Sequence, residues 1–359
     1  VPGRRTPGDE RADGTSSQFE FAQPMPGIDL MAGPYRIEER RVRSIDGRDI
    51  ALRTWFDPAI AGLADGYLDA CASYLARYEA LIGPYPFTEF SVVSGPLPTG
   101  FGMAGLTYLG VDVLKLPFIR STSLGHEVLH NWWGNGVYPD VAHGNWSEGL
   151  TTFMADYAYR EDEGAQAAHA MRLGWLRDFA AVKPELDRPL SQFAARRHGA
   201  DQSVGYNKAA FAFFMLRDLL GEPAFGRGLR AFWATHRFRV AGWDDLRAAF
   251  ESASGAKLDA FFRQWVGRSG AASITAGTAR TVRTADGVRV TLALRQEGDA
   301  YALRVPVRFF MPDGTTLDRS VSLDAREANA AFDFDQAPRS EEHTSELQSL
   351  AYLVCRLLL

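Results

Sequence analysis

Residues 126–153 read HEVLHNWWGNGVYPDVAHGNWSEGLTTF, and the reading of the whole chain works outward from this stretch. It opens with His126, Glu127 and His130 in an H-E-x-x-H arrangement, inside the helix-compatible run TSLGHEVLHNWWG. Four residues turn a helix by about 400°, so the two imidazoles emerge one above the other on one face, with a separation suited to two zinc ligands. Glu127 stands beside them, placed to act on a water at the metal. The bare pattern arises by chance in roughly one chain in a hundred of this length. Its plain alternative is a pair of helix histidines packed against Trp132 and Trp133.

A catalytic zinc takes three protein ligands and keeps one position for water, which calls for a carboxylate on a neighbouring element. Downstream, GNWSEGLTTFMADY offers Ser147 as a helix cap and Glu148 in the first turn. A first-turn Glu also complements the helix dipole without being a ligand. Beside the histidine pair and WWGN, the ligand reading prevails. Asp140, the other acid of the stretch, falls in a turn. Asn131 and Asp156 are candidates for orienting a ligand from behind.

Around this centre the texture of the chain changes. Residues 1–45 hold short alternating stretches broken by Pro and Gly, read as the end of an N-terminal β domain. DIALRTWF from Asp49 and FTEFSVVSG from Phe87 read as strands, LADGYLDACASYLARYEALIG between them as a helix ending at Gly83, and MAGLTYLGVDVLKL as a further extended run. From Ser123 to about Arg268 helical patterns dominate. Residues 273–338 alternate with period two, and Asp286-Gly287 and Asp313-Gly314 mark hairpin turns, which reads as a small β-sandwich-like domain cut short. The last segment, 339–359, starts with RSEEHTSELQS, the translation of a common sequencing adapter, and its remainder matches the continuation of that adapter around three index-dependent residues. It is excluded from fold reasoning, Cys355 with it.

The 359 residues are 46% hydrophobic and 23% charged, which excludes disorder as the dominant state. A formal net charge of −5 with no long basic run gives no electrostatic support for a nucleic-acid surface. No apolar run reaches the roughly 18 residues of a membrane helix. Two cysteines, Cys71 and Cys355, provide neither a disulfide framework nor a cysteine-only metal site. Oligomeric state is not readable. His143, His169, His198 and His236 read as solvated or packed. Arg196, Arg197 and His198 read as a solvated charge run, with the rim of a cleft as the alternative.

The stretch 126–153 resembles the zinc-binding segment of the aminopeptidase N family of gluzincin metallopeptidases in its HExxH, WWGN and N-x-E-G elements. That family usually has one residue more than the seventeen that separate His130 from Glu148 here. The resemblance extends over about residues 45–268. It implies an α+β multidomain protein in which 46–268 form a thermolysin-like catalytic domain, mainly helical in its second half and flanked by truncated β domains. It further implies one Zn2+ per chain on His126, His130 and Glu148, Glu127 as general base, and a peptide as substrate. DQSVGYNKAAFAFF resembles the family's Y-E-K-G segment and puts Tyr206 at the position of its transition-state tyrosine, a phenol able to donate to a developing oxyanion. The resemblance alone leans toward an exported location, periplasmic or cell-envelope.

One departure bears on activity. The family carries G-x-M-E-N ahead of HExxH, with a Glu that holds the substrate's α-amine. In GFGMAGLTYLG, Gly102 and Met103 keep the pattern, but Ala104 replaces the Glu and Gly105 the Asn. Substrate binding by main-chain groups along this strand survives such a change; amine anchoring by residue 104 does not. Asp112 is a candidate substitute. An aminopeptidase-like zinc peptidase is therefore expected, with an endopeptidase or dipeptide-releasing peptidase as the first alternative. A non-catalytic binding protein on the same fold is the second.

Overall fold

A computed structural model describes residues 1–11, 14–25 and 27–339, so the adapter-like segment beyond Arg339 lies outside the described residues. The chain starts with an antiparallel pair, β1 (Arg4–Arg11) and β2 (Gly14–Glu20). A five-stranded sheet comes next, built from β3 (Arg36–Arg43), β4 (Asp49–Phe56), β5 (Glu89–Gly95), β6 (Gly100–Met103) and β7 (Leu106–Gly110). Its order is β3-β4-β5-β7-β6, with β4, β5 and β7 parallel and the two outer strands antiparallel to their neighbours.

The strand sequences explain their places. On β4, Ile50, Leu52, Thr54 and Phe56 alternate inward, whereas every residue of the central β5 is buried, as a strand covered on both faces requires. The crossover from β4 to β5 is α1 (Ala64–Leu81), whose Tyr67, Leu68, Cys71, Leu75 and Tyr78 are buried. Because β3 is hydrogen-bonded to β4 along its whole length, the sheet crosses residue 45, where the sequence suggested a domain limit. The extended run expected over 103–116 is divided: β7 stops at Gly110, and Val111–Leu114 form a single helical turn, α2.

The helical part begins with α3 (Ser123–Leu129) and the short strand β8 (Tyr138–Pro139). Next come α4 (Ser147–Thr152), α5 (Ala158–Glu163), α6 (Ala165–Ala180) and α7 (Gly199–Asp201). Two stretches of the helical path, Phe153–Tyr157 and Gln202–Lys208, are wound as π-helix. The path then continues through α8 (Ala209–Leu220) and α9 (Glu222–His236), strand β9 (Val240–Ala241), which pairs with β8, and α10 (Trp243–Ser254) and α11 (Asp259–Trp265). Among the described residues no helix is long and apolar enough to cross a membrane.

Aromatic side chains knit the two halves together. Trp132 and Trp133, just past α3, are fully buried. Trp132 meets Tyr78 and Tyr85 edge-on at centroid distances of 5.8 and 5.3 Å, and Trp133 meets Trp146 and Trp233 at 6.1 Å each. Each such pair adds to the burial of large rings, so the C-terminal end of α3 rests on a rigid base.

The C-terminal part holds two sheets. One sheet holds β10 (Ser273–Ala276), β11 (Arg280–Thr284), β12 (Gly287–Glu297) and β15 (Glu327–Phe334); the other holds β13 (Leu303–Phe310) and β14 (Thr316–Leu323). Both Asp-Gly pairs lie at hairpin connections, between β11 and β12 and between β13 and β14. Buried Gln296 exchanges hydrogen bonds with the backbone of Tyr301, whose ring packs on Trp265 of α11 and under the Arg268 guanidinium.

Candidate metal centre

His126 of α3, His130 that caps it and the first-turn Glu of α4 converge. His126 Nε2 lies 3.2 Å from His130 Nε2, and Glu148 Oε2 lies 3.7 and 3.3 Å from those two nitrogens. Zinc bonds of about 2.0–2.1 Å at tetrahedral angles place donors about 3.3 Å apart, so three edges of such a site are already present. Among the described residues these three form the one cluster of His, Cys, Asp and Glu with metal-ligand spacing.

Hydrogen bonding settles which nitrogens face inward. His126 Nδ1 is 2.6 Å from Asp156 Oδ2, and His130 Nδ1 is 2.9 Å from the Trp133 carbonyl oxygen. A carboxylate and a carbonyl accept only, so both Nδ1 atoms carry the proton and donate it. Both Nε2 lone pairs are left pointing at the same spot, an arrangement that a cation resolves. Burial alone lowers the proton affinity of these imidazoles, yet nearby carboxylates outweigh it, Asp156 and Glu148 at His126 and Glu148 at His130, and hold both above the usual histidine value. Burial likewise raises the Glu148 carboxyl, but the two imidazoles pull it well below the ordinary carboxylate range. The pocket thus favours positive charge, and its donor set fits zinc.

Local folding explains each position. Helix α3 ends at Leu129 and His130 is its cap residue, one turn shorter than the sequence pattern predicts. The chain turns at once through WWGN, which returns the Trp133 carbonyl to His130 while Asn135 Nδ2 donates to the His130 carbonyl. Ser147 is not the cap of α4. It is the first helical residue after Trp146, and it is held by Asn145, whose Oδ1 accepts from the Ser147 N–H at 3.0 Å and from the Ser147 hydroxyl at 2.6 Å. Gly149, next to Glu148, is needed for close packing, since a Cβ there would stand 2.2 Å from Ala209 Cβ on α8.

Asp156 sits in the first π-wound stretch and Tyr206 in the second. The Tyr206 phenol is affected by both Glu148 and Glu127; burial, with the Glu148 carboxylate beside it, pushes it up, so it stays a protonated donor. Strand β6 passes directly over Glu127: a Cβ on Gly102 would lie 2.6 Å from Glu127 Oε2 and 3.4 Å from His130 Cβ. Met103 ends that strand. Ala104 and Gly105 form the two-residue turn to β7, with Ala104 buried and Gly105 at φ +71°.

Asn131 does not orient a metal ligand. Fully buried, it accepts from the Gly105 N–H at 2.8 Å and from the Tyr85 hydroxyl at 3.2 Å, tying the end of α3 to the β6–β7 turn. Asp112 is exposed and paired with Lys115, and Asp140 is paired with His143. The Trp133 carbonyl and Asn145 have no distinctive sequence signal, because one acts through the backbone and the other is a residue type common in turns. Replacing Asp156 by Asn is expected to lower zinc affinity by about 10–100-fold, measured by competition with a chelator; unchanged affinity would show that the His126 contact does not matter to the metal.

Comparison with known proteins shows what this chain is similar to. Residues 121–265 match the peptidase family M1 domain. The chain is 24% identical over 280 residues to aminopeptidase N of Escherichia coli, covering 72% of this chain and 31% of that protein. It is 26% identical over 291 residues to aminopeptidase N of Caulobacter vibrioides, covering 74% and 33%. The chain therefore spans about a third of the length of these relatives. Among solved structures, the crystal structure of Legionella pneumophila aminopeptidase A in complex with aspartic acid aligns with a TM-score of 0.68 at 18% identity, covering 85% of this chain and 37% of that one. That likeness establishes the fold.

Proposed function

We propose, for a chain that belongs to the aminopeptidase N-like M1 zinc metallopeptidases, that it hydrolyses peptide bonds at the centre formed by His126, His130, Glu148, Glu127 and Tyr206. The observation that carries this reading is the set of three donor separations, 3.2, 3.3 and 3.7 Å, with Glu127 next to them under β6. His126, His130 and Glu148 would hold one zinc ion, which when bound supplies Lewis acidity.

The remaining chemistry belongs to the chain itself. An extended peptide docks along β6, which pairs on one side with β7 and leaves its other edge for main-chain hydrogen bonds. The attacking water gives a proton to the Glu127 carboxylate as its oxygen bonds to the scissile carbonyl carbon. Tyr206 donates its phenolic hydrogen to the carbonyl oxygen as negative charge develops there. The C–N bond then breaks, and the proton on Glu127 passes to the leaving nitrogen. Gly102 brings the β6 backbone close to Glu127, so Gly102→Val is expected to cost about 100-fold in kcat with zinc content unchanged. Unaltered kcat would refute that close approach.

Aminopeptidase-like action is the first reading, drawn from the relatives. A second is favoured by Ala104, a buried methyl at the turn where an amine-binding carboxylate is expected: cleavage without recognition of the substrate's amino terminus. The test is hydrolysis of one peptide with free and acetylated amino termini, alongside zinc content. Loss of cleavage on acetylation supports the first reading and equal cleavage the second. Zinc binding with no hydrolysis of either peptide would refute both.

A further inference from the structure

Behind the Tyr206 ring stands a positive surface that neither the metal nor the hydrolytic step requires. The segment leading into α7 is held by Asp201, whose buried carboxylate accepts from the backbone N–H groups of Arg197 at 2.7 Å and His198 at 3.2 Å and pairs with Arg188 at 2.9 Å. With the backbone gripped from inside, Arg196, Arg197 and His198 are exposed. Arg196 is fixed in place: its Nη1 donates to Gln202 Oε1 at 2.8 Å, and its Cζ lies over the Tyr206 ring at 6.0 Å from the centroid. Phe193 meets the same ring edge-on at 6.1 Å. Neither Arg196 nor Arg197 forms a side-chain ion pair with a described carboxylate; Asp201 is engaged as above, and Glu148 faces the two histidines.

An arginine held in position by a neutral amide, with no carboxylate of its own, next to the phenol of a candidate reaction centre, has the form of a receptor for a planar anion. The guanidinium fork matches a carboxylate in bidentate fashion, and a pre-positioned fork loses little freedom on binding. We propose that Arg196, with Arg197 beside it, forms a carboxylate-binding subsite that selects substrates carrying a carboxylate one or two residues from the scissile bond. Arg196 Cζ lies 6.0 Å from the centroid of the Tyr206 ring, a span that one or two extended residues cover from that ring at about 3.3–3.6 Å each. The proposal rests on the peptidase reading of this centre. A carboxylate there comes either from an acidic side chain or from the carboxyl terminus of a short peptide.

The experiment uses the zinc-loaded chain and a neutral tetrapeptide made as the free acid, as the carboxamide, and as carboxamides with Glu or Gln at each inner position. The quantity read is the ratio of kcat/KM between charged and neutral members of each pair. Wild type is expected to favour the charged member by about tenfold or more in at least one pair. Arg196→Gln is expected to bring that ratio close to one, and Arg196→Lys to restore part of it. Preference in the free-acid pair identifies a carboxyl terminus; preference in a Glu/Gln pair identifies an acidic side chain. Ratios near one throughout in wild type, or a preference that Arg196→Gln leaves intact, overturn the proposal. If no peptide is cleaved, the peptidase reading fails on its own, and equilibrium binding of the same pairs to wild type and Arg196→Gln decides the subsite by the same ratio.

Discussion

Replacing Glu127 by Gln is expected to leave zinc content unchanged and to lower kcat by about 10²–10⁴-fold, the contribution of a positioned general base. Gln keeps the shape of the side chain, so the close fit under Gly102 and the placement of His126 on α3 and His130 at its cap are preserved. What is lost is the capacity to take a proton from water and return it to the leaving nitrogen. Because the change affects the transition state and spares the edge of β6, KM is expected to change little. Zinc per chain and steady-state kinetics on one peptide provide the check. A variant with wild-type kcat would remove Glu127 from the reaction.

Removing the metal is expected to reduce peptide hydrolysis by at least about 10³-fold, since the ion's Lewis acidity is worth several kcal/mol that Glu127 and Tyr206 do not replace. Glu148→Ala should act in the same direction by a different route. It deletes the donor that lies 3.3 and 3.7 Å from the two imidazole nitrogens and the anion that counteracts their burial. Stability offers an independent readout: an ion that binds the folded chain alone adds about 4 kcal/mol at a free concentration 1,000 times its Kd, so chelation should lower Tm. Full activity after exhaustive chelation would eliminate the metal reading, whatever the shift in Tm.

Much of this centre is legible in 28 residues, because helical periodicity alone brings His126 and His130 to one face and a carboxylate is then required nearby. Tyr206 and the contrast at Ala104 rest on resemblance, since a Tyr at a helix start and an Ala in a turn are unremarkable on their own. Other features depend on tertiary contacts that periodicity does not carry. α3 stops at Leu129 with no proline or glycine at its end, and Trp132 and Trp133 just past it are fully buried. Leu, Val and Tyr in 106–114 suit a strand throughout, yet the run bends into α2 at Gly110, where a side chain would collide with the Leu97 carbonyl at 2.4 Å. Asn131 shows the same limit. Its place beside His130 suggested a metal role, and the fold uses it to hold the β6–β7 turn.

The two π-wound stretches have an implication for engineering. Each inserts extra chain into a helical path, and a single inserted residue rotates every later side chain by about 100° around the axis. Asp156 and Tyr206 occupy those stretches, so their aim at the centre depends on winding that a regular helix would not adopt. Selection of this chain for thermal tolerance alone would reward changes over 153–157 and 202–208 that restore ordinary α winding. Such variants would gain melting temperature while turning the carboxylate away from His126 and the phenol away from Glu148, a trade between durability and turnover located in twelve residues.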